Sequence, residues 1–160
     1  MNITLHRSGL DEAPIIHEMQ IKAFLPLLNK YRDYGTNPAN ESLERVIHRL
    51  SQSFTDYYLI KTPEAIVGAI RIVRKEHKVY RVSPIFILPE HQGQGIAQKV
   101  FFIFEEKYND ARKWELGTIL QEQGNCYLYE KLGYQKTGEI KEINDMMSIV
   151  YYEKQVVIEK

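Results

Sequence analysis

The sequence predicts an α+β fold: a mixed, mostly antiparallel central sheet flanked by helices, in the order β-α-α-β-β-β-α-β-α-β-β. Three observations carry that prediction. Tyr57–Lys61, Ala65–Val73 and Val79–Leu88 are three Tyr-, Ile- and Val-rich runs joined by the short polar turns Thr62-Pro63-Glu64 and Lys75–Lys78, which is the pattern of an antiparallel meander. A long amphipathic helix follows, with Ile96, Val100, Ile103, Phe104 and Tyr108 on one side and Lys99, Glu105, Glu106, Asn109 and Asp110 on the other. Two further strands close the chain, near Tyr134–Lys141 and Met146–Lys154.

The remaining elements follow from local signals. Ile3, Leu5 and Arg7 start a short alternating strand. Asp11 stands where an N-cap belongs, ahead of the apolar helical face Ala13, Ile16, Met19, Ile21, Ala23 and Phe24, and Pro26 is expected to break or kink that helix. The polar, turn-rich stretch Lys30–Ser42 reads as a loop. Ser42 caps a second helix carrying Leu43, Val46, Ile47 and Leu50, without the acidic partner of a capping box because Arg45 occupies that position. Trp114–Leu120 reads as a strand, and Asn125–Leu132 as a short helix stopped by Gly133.

The totals narrow the function classes. The 160 residues suit one continuous domain spanning 1–160, and no internal repeat or low-complexity segment divides it. Apolar and charged fractions of 44% and 26% are those of a globular protein. Twenty-one basic and 21 acidic side chains cancel, which argues against a nucleic-acid partner. No apolar run approaches a membrane span, and the first residues lack the apolar core of a signal peptide, so a cytoplasmic protein is expected. A lone cysteine, Cys126, and the lack of any Cys/His spacing suited to zinc leave no metal site to expect. Cys126 reads as a small buried hydrophobe.

Gln92-Gly-Gln-Gly-Ile-Ala97 joins an apolar strand to the long helix. Unpaired backbone N–H groups and the helix dipole favour an anion at such a place, and glycines let the backbone approach it. A P-loop would need Gly-Lys-Ser/Thr after the second glycine, where Ile96-Ala97 stands. A dinucleotide fold would need a third glycine inside a βαβ unit, and this loop follows an antiparallel meander.

At these residues the sequence resembles the GNAT superfamily of N-acetyltransferases, whose signature Gln/Arg-x-x-Gly-x-Gly/Ala is matched by Gln92-Gly-Gln-Gly-Ile-Ala97. Ile85-x-Ile87-x-Pro89 resembles the strand leading into that loop. Asn125-Cys-Tyr-Leu-Tyr129-Glu-Lys-Leu-Gly-Tyr134 resembles a second family block, in the expected order. The resemblance implies transfer of an acetyl group from acetyl-CoA, as cosubstrate, to a primary amine. Ile85 and Ile87 would offer backbone groups to the pantetheine arm, and Gln92, Gly93, Gln94, Gly95, Ile96 and Ala97 would hold the pyrophosphate. Asn125 would contact pantetheine or serve only as a helix cap. Tyr129 would return a proton to the departing thiolate. His91 is expected to be a solvated loop histidine. Tyr31, Tyr34 and Asn37, in the loop that commonly closes over the acceptor in this family, are candidates to line the acceptor pocket. Glu64, Glu76, Glu115 and Glu122 are all conceivable bases and none stands out. The acceptor remains open between a small-molecule amine and a peptide or protein amine, and the chain between monomer and homodimer. A non-catalytic CoA-binding module of the same fold is the alternative.

Overall fold

In the computed structural model, which describes residues 2–156, one seven-stranded sheet runs in the order β1-β2-β3-β4-β5-β7-β6. Its strands are β1 (Thr4–Arg7), β2 (Thr55–Lys61), β3 (Ile66–Arg74), β4 (Val79–Ile87), β5 (Lys113–Ile119), β6 (Gln135–Asn144) and β7 (Met147–Gln155). Every neighbouring pair is antiparallel except β4 and β5. The helices are α1 (Ala13–Tyr31), α2 (Leu43–Ser51), α3 (Ile96–Lys107) and α4 (Gln123–Lys131). The predicted α+β order is therefore the observed one. Among the described residues no helix is long and apolar enough to cross a membrane.

The alternation of each strand sorts its side chains to two faces and makes two cores. On one face Ala13, Ile16, Met19 and Ala23 of α1 and Val46 of α2 pack against Tyr57, Leu59, Ala69 and Phe86. On the other, Val100, Phe101 and Phe104 of α3 and Cys126 and Tyr129 of α4 cover Ile70, Ile72, Val82, Trp114 and Leu116. Trp114 is the anchor there, 4.8 Å from the Phe104 ring and 5.3 Å from Tyr80.

Two local expectations are corrected. Asp11 caps nothing: a turn of 3-10 helix at Leu10–Glu12 comes first, and the Gly9 amide is bonded to Glu12 Oε1 at 3.2 Å. Pro26 does not break α1, which runs on to Tyr31. The cost of a proline inside a helix, about 3 kcal/mol, is offset here by packing on both sides of it. Phe24 meets Phe86 edge-on at 5.7 Å, and Leu28 and Tyr31 are buried. Ser42 caps α2 as expected, accepting from Arg45 N at 3.2 Å.

A buried carboxylate ties α3 to the sheet edge. Asp56 is 3% exposed and takes Arg7 at 2.9 Å, Arg74, and the Tyr108 hydroxyl at 2.6 Å, with Tyr58 bonded to Tyr108 at 2.7 Å. Burial pushes the Asp56 carboxyl up, but the hydrogen bonds from Arg74 and Tyr108 and the charge of Arg7 outweigh it and hold the carboxyl below its usual range. A depressed folded-state pKa means that the stabilisation is complete above the ordinary carboxylate pKa of about 3.9 and is lost as pH falls through the folded value. Asp56→Asn is expected to cost about 2–3 kcal/mol at pH 7 in chemical denaturation, because it leaves Arg74 without its anion. The difference from wild type should begin to shrink below about pH 4, where the unfolded carboxyl takes up its proton, and close once pH has fallen through the lower folded value.

Candidate active site

The site begins with a bulge. Across from the single residue Arg71 of β3, strand β4 places two residues, Ser83 and Pro84. The Ser83 carbonyl accepts from Arg71 Nη1 at 2.9 Å, and Arg71 Nη2 donates to Gln52 Oε1 at 3.0 Å. Proline has no N–H to give to a ladder. The parallel pairing of β4 with β5, which starts at Val79–Lys113, ends at Val82–Leu116 just before it. Beyond that point β5 stays with β7 as far as Ile119, and β4 stays with β3 as far as Ile87. The two parallel strands therefore part.

The backbone of β4 is turned toward that parting. Leu88 N donates to Val67 O at 2.8 Å. By the alternation of an antiparallel ladder, Leu88 and Phe86 aim their groups at β3, and Ile85 and Ile87 aim theirs away from it. The Ile87 carbonyl is taken by the Gln92 side-chain amide at 2.9 Å. Gln92 thus ties the loop back to the strand, and its own N–H is taken by the Pro89 carbonyl at 3.3 Å.

The glycine loop leads straight into α3. Gly93 and Gly95 both adopt left-handed conformations, φ 77° and 76°, and Gly95 occupies the N-cap of α3. A Cβ on either would meet nothing within 4 Å, so it is the backbone conformation that calls for glycine. The opening amides of α3 are left to face a cleft of about 680 Å³, with Gln92, Gly93, Ile96 and Ala97 on its wall. Ile85, Ile87, Asn125 and Tyr129 line the same cleft, as do His91, Lys30 and Glu122. Gln94 is exposed and stands outside it.

A second cleft of about 310 Å³ opens on the α1 side of the sheet, between the Asp33–Pro38 loop and the faces of β4, β5, β6 and β7. The two clefts share Phe24, Leu27, Ile85, Asn125 and Tyr129. Asn125 is not the cap of α4: that helix starts two residues earlier, and Asn125 N donates to Glu122 O at 3.1 Å. Its side chain is left at the junction. Tyr129 is 8% exposed, its ring 5.6 Å from Phe101 and 6.1 Å from Tyr152. Burial, with Cys126 adding a little, pushes its phenol up to about 12.

Tyr31, the last residue of α1 and not part of the loop, and Tyr34 of the α1–α2 loop line neither cleft. Tyr31 is buried, with its hydroxyl on Glu122 Oε2 at 2.5 Å and its carbonyl held by Asn144 Nδ2 at 2.8 Å. Tyr34 is 63% exposed. It is Asp33, Thr36, Asn37 and Pro38 that face the second cleft. Hydrogen bonds from the loop and α1 select this arrangement. Asp33 accepts from Thr36 N at 2.9 Å and from the Thr36 hydroxyl, Asn37 Oδ1 from Ala39 N at 2.7 Å, and the Pro38 carbonyl from Gln20 at 2.8 Å.

Of the four glutamates, only Glu122 reaches a cleft. Burial pushes its carboxyl up, but the hydrogen bonds from Tyr31 and Lys30 prevail and leave it below its usual range, which makes it a weak base. Glu115 is engaged by Lys75 at 2.7 Å and Lys113 at 3.5 Å. Cys126 is buried, its Sγ 3.8 Å from the carbonyls of Ile119 and Leu120.

A parted pair of parallel strands, a glycine loop feeding a helix at the parting, and a second cleft that shares Tyr129 with the first make up the site. The chain belongs to the GNAT acetyltransferase family: a family model described as an acetyltransferase (GNAT) domain matches residues 28–156. Among curated proteins, N-acetyltransferase 8 of Rattus norvegicus is 30% identical over 103 residues, which cover 56% of this chain and 44% of that protein. The match thus spans less than half of the rat protein. Among solved structures, the spermidine N-acetyltransferase of Vibrio cholerae in complex with CoA and spermine superposes with a TM-score of 0.76 at 17% identity, over 96% of this chain and 95% of that one. An acetyltransferase from Thermus thermophilus gives a TM-score of 0.75 at 15% identity, over 98% of each chain.

Proposed function

We propose that this protein transfers an acetyl group from acetyl-CoA to a primary amine by direct attack, with Tyr129 as general acid. The observation that carries the reading is the meeting of the two clefts at Tyr129 and Asn125. The larger cleft suits the donor in its chemistry. The main-chain amides of Gly93, Gly95, Ile96 and Ala97 and the dipole of α3 favour the pyrophosphate, and the outward-facing groups of Ile85 and the Ile87 N–H suit the amides of a pantetheine arm. Lys30 and His91 stand on the same wall. Acetyl-CoA supplies the acetyl group as a thioester.

The amine enters by the smaller cleft as its neutral form and bonds to the thioester carbonyl carbon, while the carbon–sulfur bond breaks. Tyr129 O–H supplies a proton to the sulfur. A phenol lifted to about 12 stays protonated across the neutral range, as a donor must. The proton released by the amine leaves to water, since Glu122 is occupied by Tyr31 and Lys30, and water returns one to the Tyr129 oxygen to restore the phenol.

Tyr129→Phe is expected to lower kcat by roughly 10- to 100-fold with little change in the Kd for CoA, because only the proton donor is removed. Thiol release from acetyl-CoA across a panel of amines, with calorimetric CoA binding beside it, checks this. CoA binding without turnover, or an unchanged kcat in the phenylalanine variant, would favour the non-catalytic module instead.

A further inference from the structure

The charges of the smaller cleft point to the kind of amine that enters it. Its ionisable walls are Asp33 of the loop, Arg81 of β4 and Lys141 of β6, with the Tyr151 ring between strands. Asp33 is 6% exposed and spends two of its roughly four acceptor positions on Thr36, so the walls set two cations against one carboxylate. Among the described residues neither Arg81 nor Lys141 forms an ion pair. Glu115, the residue paired with Arg81 on β5, is held by Lys75 and Lys113. Arg81 instead sits 5.8 Å from the centre of the Tyr151 ring. That ring lies across β5 because Gly117 has no side chain; a Cβ there would stand 3.1 Å from Tyr151 Cε1. Ile119, Ile143 and Ile149 supply an apolar floor.

Resting on the acetyl-transfer reading, we propose that the acceptor is an amine with an anionic group at its far end, held by Arg81 and Lys141, with an apolar stretch between. A polyamine would bring surplus positive charge against these two cations. A carboxylate satisfies them, and Arg offers it a paired hydrogen-bond fork. The same cations disfavour the ammonium form of the reacting nitrogen and so ease its deprotonation. Spacing follows from the strand. Arg81 pairs with Val73 and Ile85, at the junction, with Ile70, three residues apart on β3 and so roughly 10 Å at about 3.3 Å per residue. Several bonds must therefore separate the amine from the anion.

Matched acceptors of one length test this: 6-aminohexanoate, hexylamine and 1,6-diaminohexane, each assayed with acetyl-CoA. The expected order of kcat/KM is carboxylate, then alkyl, then diamine, with at least about tenfold between first and last. Arg81→Gln and Lys141→Gln should each reduce the carboxylate-to-alkyl ratio by about tenfold, mainly through KM, since each removes one charged partner. Lys141 is exposed, so its variant keeps the test valid even where Arg81→Gln proves unstable in a thermal melt. A diamine that matches or exceeds the carboxylate, or ratios untouched in both variants, would overturn the acceptor assignment alone. Turnover of none of the three, with thiol release on other amines of the panel, would also overturn this assignment alone; no thiol release on any amine by a protein that binds CoA would overturn the acetyl-transfer reading and this assignment together.

Discussion

Gly95→Val is expected to raise the Kd for CoA by about a hundredfold or more, while far-ultraviolet circular dichroism stays close to wild type. Gly95 holds φ 76° and ψ 14° at the start of α3. A β-branched residue is a steric outlier there, at a cost of roughly 1–2 kcal/mol for the left-handed conformation itself. The open space around its Cβ shows that no neighbour would resist the new side chain. The chain is therefore expected to relieve the strain by rotating φ, which re-aims the amides of Gly95 and Ile96. Each amide lost from a phosphate removes a charge-assisted hydrogen bond of about 1.5–3 kcal/mol, so losing one or two gives an effect of that order. Gly95→Asn separates conformation from side-chain size. Asparagine tolerates the left-handed region, and its loss should stay below about tenfold. Isothermal calorimetry with CoA distinguishes the outcomes, and a valine variant that binds within threefold of wild type would rule out the loop as the pyrophosphate site.

Gly68→Ala is the largest expected loss of stability, about 3 kcal/mol, read as a drop of roughly 6–12 °C in Tm for a chain of this size. A Cβ at Gly68 would stand 2.1 Å from the Phe86 carbonyl oxygen and 3.1 Å from Ile87 Cα. Those are backbone atoms of β4 and cannot rotate away, so the strand itself must move. The moved segment is the one that presents Ile85 and Ile87 to the larger cleft, and CoA affinity should fall with stability. Gly117→Ala is the internal control. Its nearest neighbour, at 3.1 Å, is the Tyr151 ring, a side chain able to swing aside, so its cost should be well under half as large. Equal melting temperatures for the two variants would refute the backbone-contact account.

Much of the fold was legible because it is written in short-range signals. Three runs of β-branched and aromatic residues with two tight turns between them have few arrangements other than a meander. The spacing of Ile96, Val100 and Phe104 puts their side chains on one helical face, and all three are buried. The strand–glycine–helix junction was equally local, since it needs only Gly93 and Gly95 within a few residues of a strand end and a helix start. Asn125 and Tyr129, four residues apart, fall on one side of α4 by helical geometry alone.

What misled was local grammar read without its surroundings. Pro26 is a helix breaker by any short-range rule, yet Phe24, Leu28 and Tyr31 pack well enough to carry α1 past it. Asp11 and Asn125 have the chemistry of caps, but Glu12 and Glu122 hold those positions. In the α1–α2 loop the aromatic rings drew attention as ligand surfaces. A hydroxyl 2.5 Å from Glu122, which lies 91 residues away in sequence, instead commits Tyr31 to holding the loop. No pattern within the loop announces a partner that distant.

The sequence by itself determined the element order and the glycine loop. Each depends on periodicity, turn chemistry or backbone conformation, which act over a few residues. Only the tertiary structure decided that β4 and β5 part after Val82 and Leu116, and that Asp33 rather than Tyr34 faces the second cleft. It also brought Arg81 and Lys141, 60 residues apart in number, into one pocket, with no ion pair to either among the described residues. Those outcomes depend on which strands neighbour each other and which polar groups are already satisfied, and both are properties of the packed chain.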